Sequence, residues 1–170
     1  MNFPFDPNAQ SQENFVDRVG GVYEHSAWIA EGAFARGLPE NAQDLDTLAS
    51  YLRAIVDVAG DGPKLALLRA HPDLAGKLAK SGALTTESTV EQTSAGLDQC
   101  SDAEFEELTV LNDTYKERFG FPYILAVKGR NRQEILENFR ARVNNAPADE
   151  FREALNQVHQ IARLRLEAMC

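Results

Sequence analysis

Three histidines, His25, His71 and His159, are the side chains whose charge changes near neutral pH. His71 has the most informative neighbour. Pro72 follows it, and a residue before proline is pushed out of helical geometry. The helical segment from Pro63 to Ala70 therefore ends at His71, at the rim of a helix carboxyl end. That end favours an imidazolium, so the position suits a proton donor. It equally suits a charge cap in front of a helix-breaking proline. His25 lies in the aromatic-rich stretch Tyr23-Glu24-His25-Ser26-Ala27-Trp28, where a packed, hydrogen-bonded core role is expected. His159 falls mid-helix without chemical neighbours in sequence and reads as structural.

Ser88, Glu91 and Gln92 stand three and four positions apart, so on a helix they share one face. A hydroxyl, a carboxylate and a carboxamide side by side form a ledge able to read a polar heterocycle. The same stretch, Ser88-Thr89-Val90-Glu91, also has the pattern of a capping box. Arg165 is a further candidate. The last helical segment carries an apolar stripe of Phe151, Leu155, Val158, Ala162 and Met169. At about 100° per residue Arg165 falls inside that stripe and Arg163 outside it. A guanidinium facing a core needs an anion, which is either a protein carboxylate or the carboxylate of a substrate.

Other chemistries lack their residues. There is no HxxxH or HxH pair and no CxxC, so a zinc or iron site is not expected. No Gly-x-Ser-x-Gly elbow or phosphate-binding loop occurs; Gly60-Asp61-Gly62-Pro63-Lys64 reads as a turn. Cys100 and Cys170 are the two cysteines and make no disulfide framework, which fits a reducing compartment. The net charge of −9 argues against nucleic acid or an anionic membrane as a partner, but it leaves room for an anionic substrate held by one or two local arginines. The first residues lack the basic and apolar regions of a signal peptide, and no stretch is apolar enough to span a bilayer. A cytoplasmic location is the expectation.

The 170 residues, 44% of them apolar, suffice for a single domain covering residues 1–170 with one ordinary core. Most segments between the Gly and Pro marks repeat apolar residues at helical period. Leu45, Leu48, Leu52, Ile55 and Val56 form one such stripe. Asp61-Gly62-Pro63 opens the next helix. Ser101-Asp102-Ala103-Glu104 is a capping box before a helix whose stripe is Phe105, Leu108, Leu111 and Tyr115. Asn131 or Arg132 opens a helix carrying Ile135, Leu136, Phe139 and Val143, and Pro147 opens the last. Only Phe119 to Val127 departs from this period; extended backbone leading into a helical turn is expected there. Its freed backbone groups need partners, and a bound polar ligand is one possibility.

These residues fall into a pattern. His71-Pro72-Asp73-Leu74-Ala75-Gly76 resembles the signature of the 2-oxo-4-hydroxy-4-carboxy-5-ureidoimidazoline (OHCU) decarboxylases. Leu84-Thr85-Thr86-Glu87-Ser88, Glu91-Gln92 and Ala95-Gly96-Leu97 resemble a second block. Leu111-Asn112, Tyr115 and Arg118-Phe119-Gly120-Phe121-Pro122 resemble a third. Ala154-Leu155 with Ile161-Ala162-Arg163-Leu164-Arg165-Leu166 is similar to the ending. The likeness runs from about Phe15 to Met169, with Ala27 standing where proline is expected.

The resemblance implies an all-α, multi-helix fold peculiar to this family, often dimeric, and a cofactor-independent lyase that turns OHCU into (S)-allantoin in urate degradation. It implies His71 as the acid/base, with Glu91 beside it. It implies a pocket of Pro72, of Ser88, Thr89, Val90, Glu91 and Gln92, and of the backbone of Tyr123, Ile124, Leu125, Ala126 and Val127. Arg165 would orient the anionic side of the substrate or hold Glu91. No metal and no cofactor is expected. The rival readings are a noncatalytic helical module that binds a purine-like ligand or a protein, and a hydrolase of the preceding intermediate.

Overall fold

The computed structural model describes residues 1–75 and 84–170. Gly76, the last residue of the first signature, and Gly82 lie outside them. Among the described residues the regular structure is helical, apart from one isolated antiparallel bridge between Asn2 and Asp44. The chain divides into two compact units, residues 1–70 with 158–170, and residues 71–157.

The first unit holds α1 (Gln12–Val19), α2 (Trp28–Ala35), α3 (Leu45–Asp57) and α4 (Asp61–Arg69). Helix α2 packs against both α1 and α3. The apolar face of α3 follows its spacing: Leu45, Leu48, Leu52, Ile55 and Val56 are all buried, as their period predicts. Asp44 caps α3 by accepting the Thr47 amide at 3.0 Å. Helix α4 ends at Arg69 with Ala70 as its C-cap, immediately before His71.

The second unit holds α5 (Thr86–Ser94), α6 (Asp102–Phe119) and α7 (Arg132–Arg142). Helix α8 (Pro147–Glu167) contributes its residues through Gln157 to this unit and the rest to the first. Helices α6 and α7 pack together, and an Arg140–Glu107 fork of 2.6 and 2.9 Å joins their exposed sides. Capping boxes open both: Ser101 with Glu104, and Asn131 with Glu134. Gly120 closes α6 at φ +77°, a left-handed value that glycine adopts without steric cost.

Two buried stripes differ from the expected ones. In α6 the buried positions are Leu108, Asn112 and Tyr115, while Phe105 and Leu111 are half-buried. In α7 Arg142 is buried and Val143 half-buried. Both polar residues lie at the right helical phase, three or four positions from an apolar partner. A stripe followed through apolar residue types alone passes over both. In α8 the buried residues are Glu150, Ala154, Val158, His159, Ile161, Ala162, Arg165 and Leu166, with Phe151, Leu155 and Met169 only half-buried.

Phe121 to Val127 is neither helix nor strand. It leads into a turn at Lys128 and Gly129, where the Arg130 amide donates to Val127 O at 3.0 Å. Its side chains are buried, and Tyr123 stacks on Phe139 with centroids 3.7 Å apart. Tyr115 meets Phe119, Phe121, Tyr123 and Phe139 in the same aromatic core.

Candidate active site

The segment His71 to Ala75 has no regular structure, so its backbone groups must be satisfied from outside. Side chains from two helices do this. Gln92 of α5 accepts from the Ala75 amide at 2.9 Å and donates to Asp73 O at 3.4 Å. Asn112 of α6 donates to Leu74 O at 3.0 Å. One turn further along α6, Lys116 binds the Asp73 carboxylate at 2.6 Å. Ala75 is held at φ +49°, a conformation that residues with a Cβ adopt only where the surroundings enforce it. His71 directly follows the C-cap of α4, at the helix end where its sequence puts it, and at 8% exposure it is buried there. The sequence reading also missed Asn112 and Lys116 as partners of this loop.

Helix α5 begins earlier than its Ser-x-x-Glu pattern implies. Thr85 is the N-cap and accepts the Ser88 amide at 3.2 Å. Ser88 is therefore the third helical residue and not the cap, which removes the capping-box explanation for Ser88 and Glu91. Ser88 and Gln92 are buried and Glu91 is half-buried, whereas Thr89 and Val90 are exposed. A cavity of about 220 Å³ adjoins the Gln92 junction, lined by Ala75, Thr89, Gln92, Leu97, Cys100 and Phe105 among others. Burial pushes the Cys100 thiol above its usual pKa, so the thiolate needed for nucleophilic chemistry is disfavoured there.

The extended segment is fastened separately. Arg142 donates to Ile124 O at 2.6 Å, Gln157 accepts from the Ala126 amide at 2.9 Å, and Arg130 reaches Ala126 O at 3.3 Å. Among the described residues none accepts from the amides of Leu125 or Val127. Arg142 also binds the fully buried Glu150 through Nε at 2.8 Å and Nη2 at 2.5 Å. Glu150 further accepts from Tyr115 and from Asn145, the latter at 2.9 Å. Burial, reinforced by Glu150, raises the Tyr115 pKa, and burial raises that of Tyr123; both phenols stay protonated and serve as donors.

Arg165 belongs to the first unit. It is 8% exposed and donates to Glu24 at 2.7 Å, with Gly21 O at 3.4 Å. Helical phase placed it inside correctly, and the anion it meets is a protein carboxylate. Arg163, outside the stripe, pairs with Asp46 at 2.7 Å on the surface. His25 is exposed at φ +46° rather than packed in the core. His159 is buried, 2.8 Å from the Tyr23 hydroxyl through Nδ1. Burial lowers its pKa to about 4. The ring is thus neutral at pH 7; the protonated Tyr23 donates to Nδ1, which leaves the proton on Nε2, 3.7 Å from Asp57.

Thus Gln92 brings the His71 loop and the Ser88–Gln92 helix together. The Tyr123–Val127 segment is tied to α7 and α8, and Arg165 to Glu24. Among the described residues no group of three or more His, Cys, Asp or Glu is arranged to hold a metal ion, and no helix is long and apolar enough to cross a membrane.

The described residues form an all-α fold in which the segment after His71 is braced on a polar helix, the arrangement expected from the signature. Residues 8–167 match the OHCU decarboxylase family, and the chain belongs to it. The chain is 42% identical over 159 residues to a 2-oxo-4-hydroxy-4-carboxy-5-ureidoimidazoline decarboxylase of Haloferax volcanii, covering 94% of this chain and 90% of that one. The crystal structure of an (S)-allantoin synthase aligns with TM-score 0.76 and 33% identity over 96% of this chain; the chain spans 52% of that longer one. The structure of an OHCU decarboxylase in the presence of (S)-allantoin shares the fold, with TM-score 0.66 and 21% identity over 94% of this chain and 97% of that one.

Proposed function

We propose that this protein decarboxylates OHCU to (S)-allantoin in urate degradation, with His71 as the proton-handling group. The observation that carries the reading is the Gln92 junction. It joins the segment that follows His71, at Asp73 O and the Ala75 amide, to the helix bearing Ser88 and Glu91, in a chain whose relatives are named OHCU decarboxylases.

The chemistry needs little from the protein beyond position and protons. The bond from the ring carbon to the carboxylate breaks, and its electron pair enters the adjacent C=N bond. The ring nitrogen takes up a proton as CO2 leaves. The ring hydroxyl then gives up its proton to become a carbonyl while the neighbouring carbon is protonated on one face. Because the substrate's own C=N accepts the electrons, no cofactor is required as a sink. His71 supplies the proton at the reacting carbon, a role worth about 10²–10⁴-fold. Glu91 engages the ring hydroxyl and Gln92 lies at the amide edge. Ser88, with Pro72 and Thr89, completes that wall, whereas Val90, 63% exposed, lies on the other side of α5. The amides of Leu125 and Val127, within the Tyr123–Val127 segment, bind the ureido and lactam oxygens. The enzyme is read as one cytoplasmic domain acting on a small molecule, without nucleic acid or membrane partners; its assembly as a homodimer is open to sedimentation.

Freshly oxidised urate, incubated with and without the protein, tests the reading. Enzyme-dependent CO2 release together with a growing circular-dichroism signal of one allantoin enantiomer is the expected result. Binding without CO2 release would indicate a ligand-binding module, and conversion of the preceding intermediate without CO2 release would indicate a hydrolase.

A further inference from the structure

We infer that Asn112 and Lys116 of α6 are positioning residues for the reaction, acting as a two-point bracket that sets where the His71 imidazole sits. The inference rests on the reading of His71 as the proton donor.

Among the described residues, the segment from His71 to Ala75 has no helix or strand ladder to hold it. Its geometry is set by side-chain bonds to its backbone and to its carboxylate, Asp73. Asn112 and Lys116 are four residues apart, so they project from the same face of an 18-residue helix. Asn112 is 2% exposed and reaches Leu74 O at 3.0 Å. Lys116 reaches the adjacent residue's carboxylate, Asp73, at 2.6 Å. Two successive loop residues are thereby pinned to one rigid element, two and three positions from His71. Gln92 of α5 pins the same segment two residues further on from Asp73, at the Ala75 amide. Leaving Leu74 O without its buried donor frees the loop to seek another arrangement. Ala75, at φ +49°, is the residue able to relax if the bracket is lost. A bracket of this kind changes the rate and not substrate affinity, because proton transfer is steeper in distance than binding is; a displacement of about 1 Å can cost about 10²-fold.

Lys116 is partly exposed, its side chain 40% accessible, so Lys116→Met will fold. It is paired with Asn112→Asp, which puts an acceptor opposite Leu74 O, and with Lys116→Arg as the conservative rescue. The expected result is a fall in kcat of about 10-fold for Lys116→Met and about 10²-fold for Asn112→Asp, with KM within about twofold and near-native activity in Lys116→Arg. The imidazole titration of His71, followed by NMR, should move in Lys116→Met while that of His159 stays in place. Native kcat and an unmoved His71 titration in Lys116→Met would overturn the bracket. Full activity in His71→Asn would instead overturn the underlying reading, and the bracket's catalytic meaning with it; an inactive His71→Asn beside a fully active Lys116→Met leaves that reading standing and removes the bracket alone.

Discussion

Replacing Arg142 by Met removes the cation from a buried network while keeping most of its aliphatic bulk. Glu150 is fully buried and loses two of its bonds, those at 2.8 and 2.5 Å. Ile124 O loses its donor at 2.6 Å in the same step. Removing one partner of a buried ion pair costs about 3–5 kcal/mol, because a charge is left uncompensated. A domain of this size is stable by only about 5–15 kcal/mol, so the variant should lie near the limit of folding. At about 2–4 °C per kcal/mol its Tm should drop by roughly 6–20 °C. Urea unfolding followed by near-UV circular dichroism, which reports the aromatic core around Tyr123, is the assay. Replacing Glu150 by Leu in the same chain should restore part of the loss, since the unpaired charge is then gone. A cost below about 1 kcal/mol for Arg142→Met alone would refute the claim that this network sets the extended segment.

Three further outcomes follow from other contacts. His159 is neutral in the fold down to pH about 4 but takes up a proton near 6.5 when unfolded. Its depressed pKa favours the fold above pH 6.5, and that advantage is lost as pH falls toward 4. The native protein should therefore lose about 2 kcal/mol more than His159→Gln between pH 7.5 and 5, read from paired urea titrations; parallel losses would contradict the assignment. Thr85→Ala deletes the α5 cap and should cost about 1 kcal/mol with a measurable loss of thermal stability, whereas Ser88→Ala should not mimic it through capping. Glu91→Gln should lower turnover at least 10-fold while Tm moves by less than about 2 °C, since Glu91 is half-buried and is not the helix cap; the reverse pattern would give Glu91 a structural role.

The fold was legible wherever apolar period decided the matter. The α3 stripe, the Ser101 and Asn131 starts, and the end of α4 before His71 all appear where local chemistry puts them. Arg165 was placed inside by phase because it was tested as a polar residue on an apolar face. Arg142 and Asn112 satisfy the same test and were missed, since the stripes around them were traced through apolar residues only. The cap of α5 was misread because two Ser/Thr-x-x-polar patterns overlap there, and only the fold decides which hydroxyl meets an orphan amide. Gln92 on Ala75 and Lys116 on Asp73 span 17 and 43 residues. No local pattern encodes a bond between a loop and a helix that far along the chain. The exposed His25 at φ +46° shows the same limit: aromatic neighbours in sequence do not report burial.

The most direct measurement is the initial rate of optically active allantoin formation by His71→Asn, set beside native protein on the same freshly oxidised urate. Loss of at least about 10²-fold in rate with unchanged far-UV circular dichroism is the predicted result. A variant that forms the single enantiomer at the native rate would contradict the assignment of the proton to this imidazole.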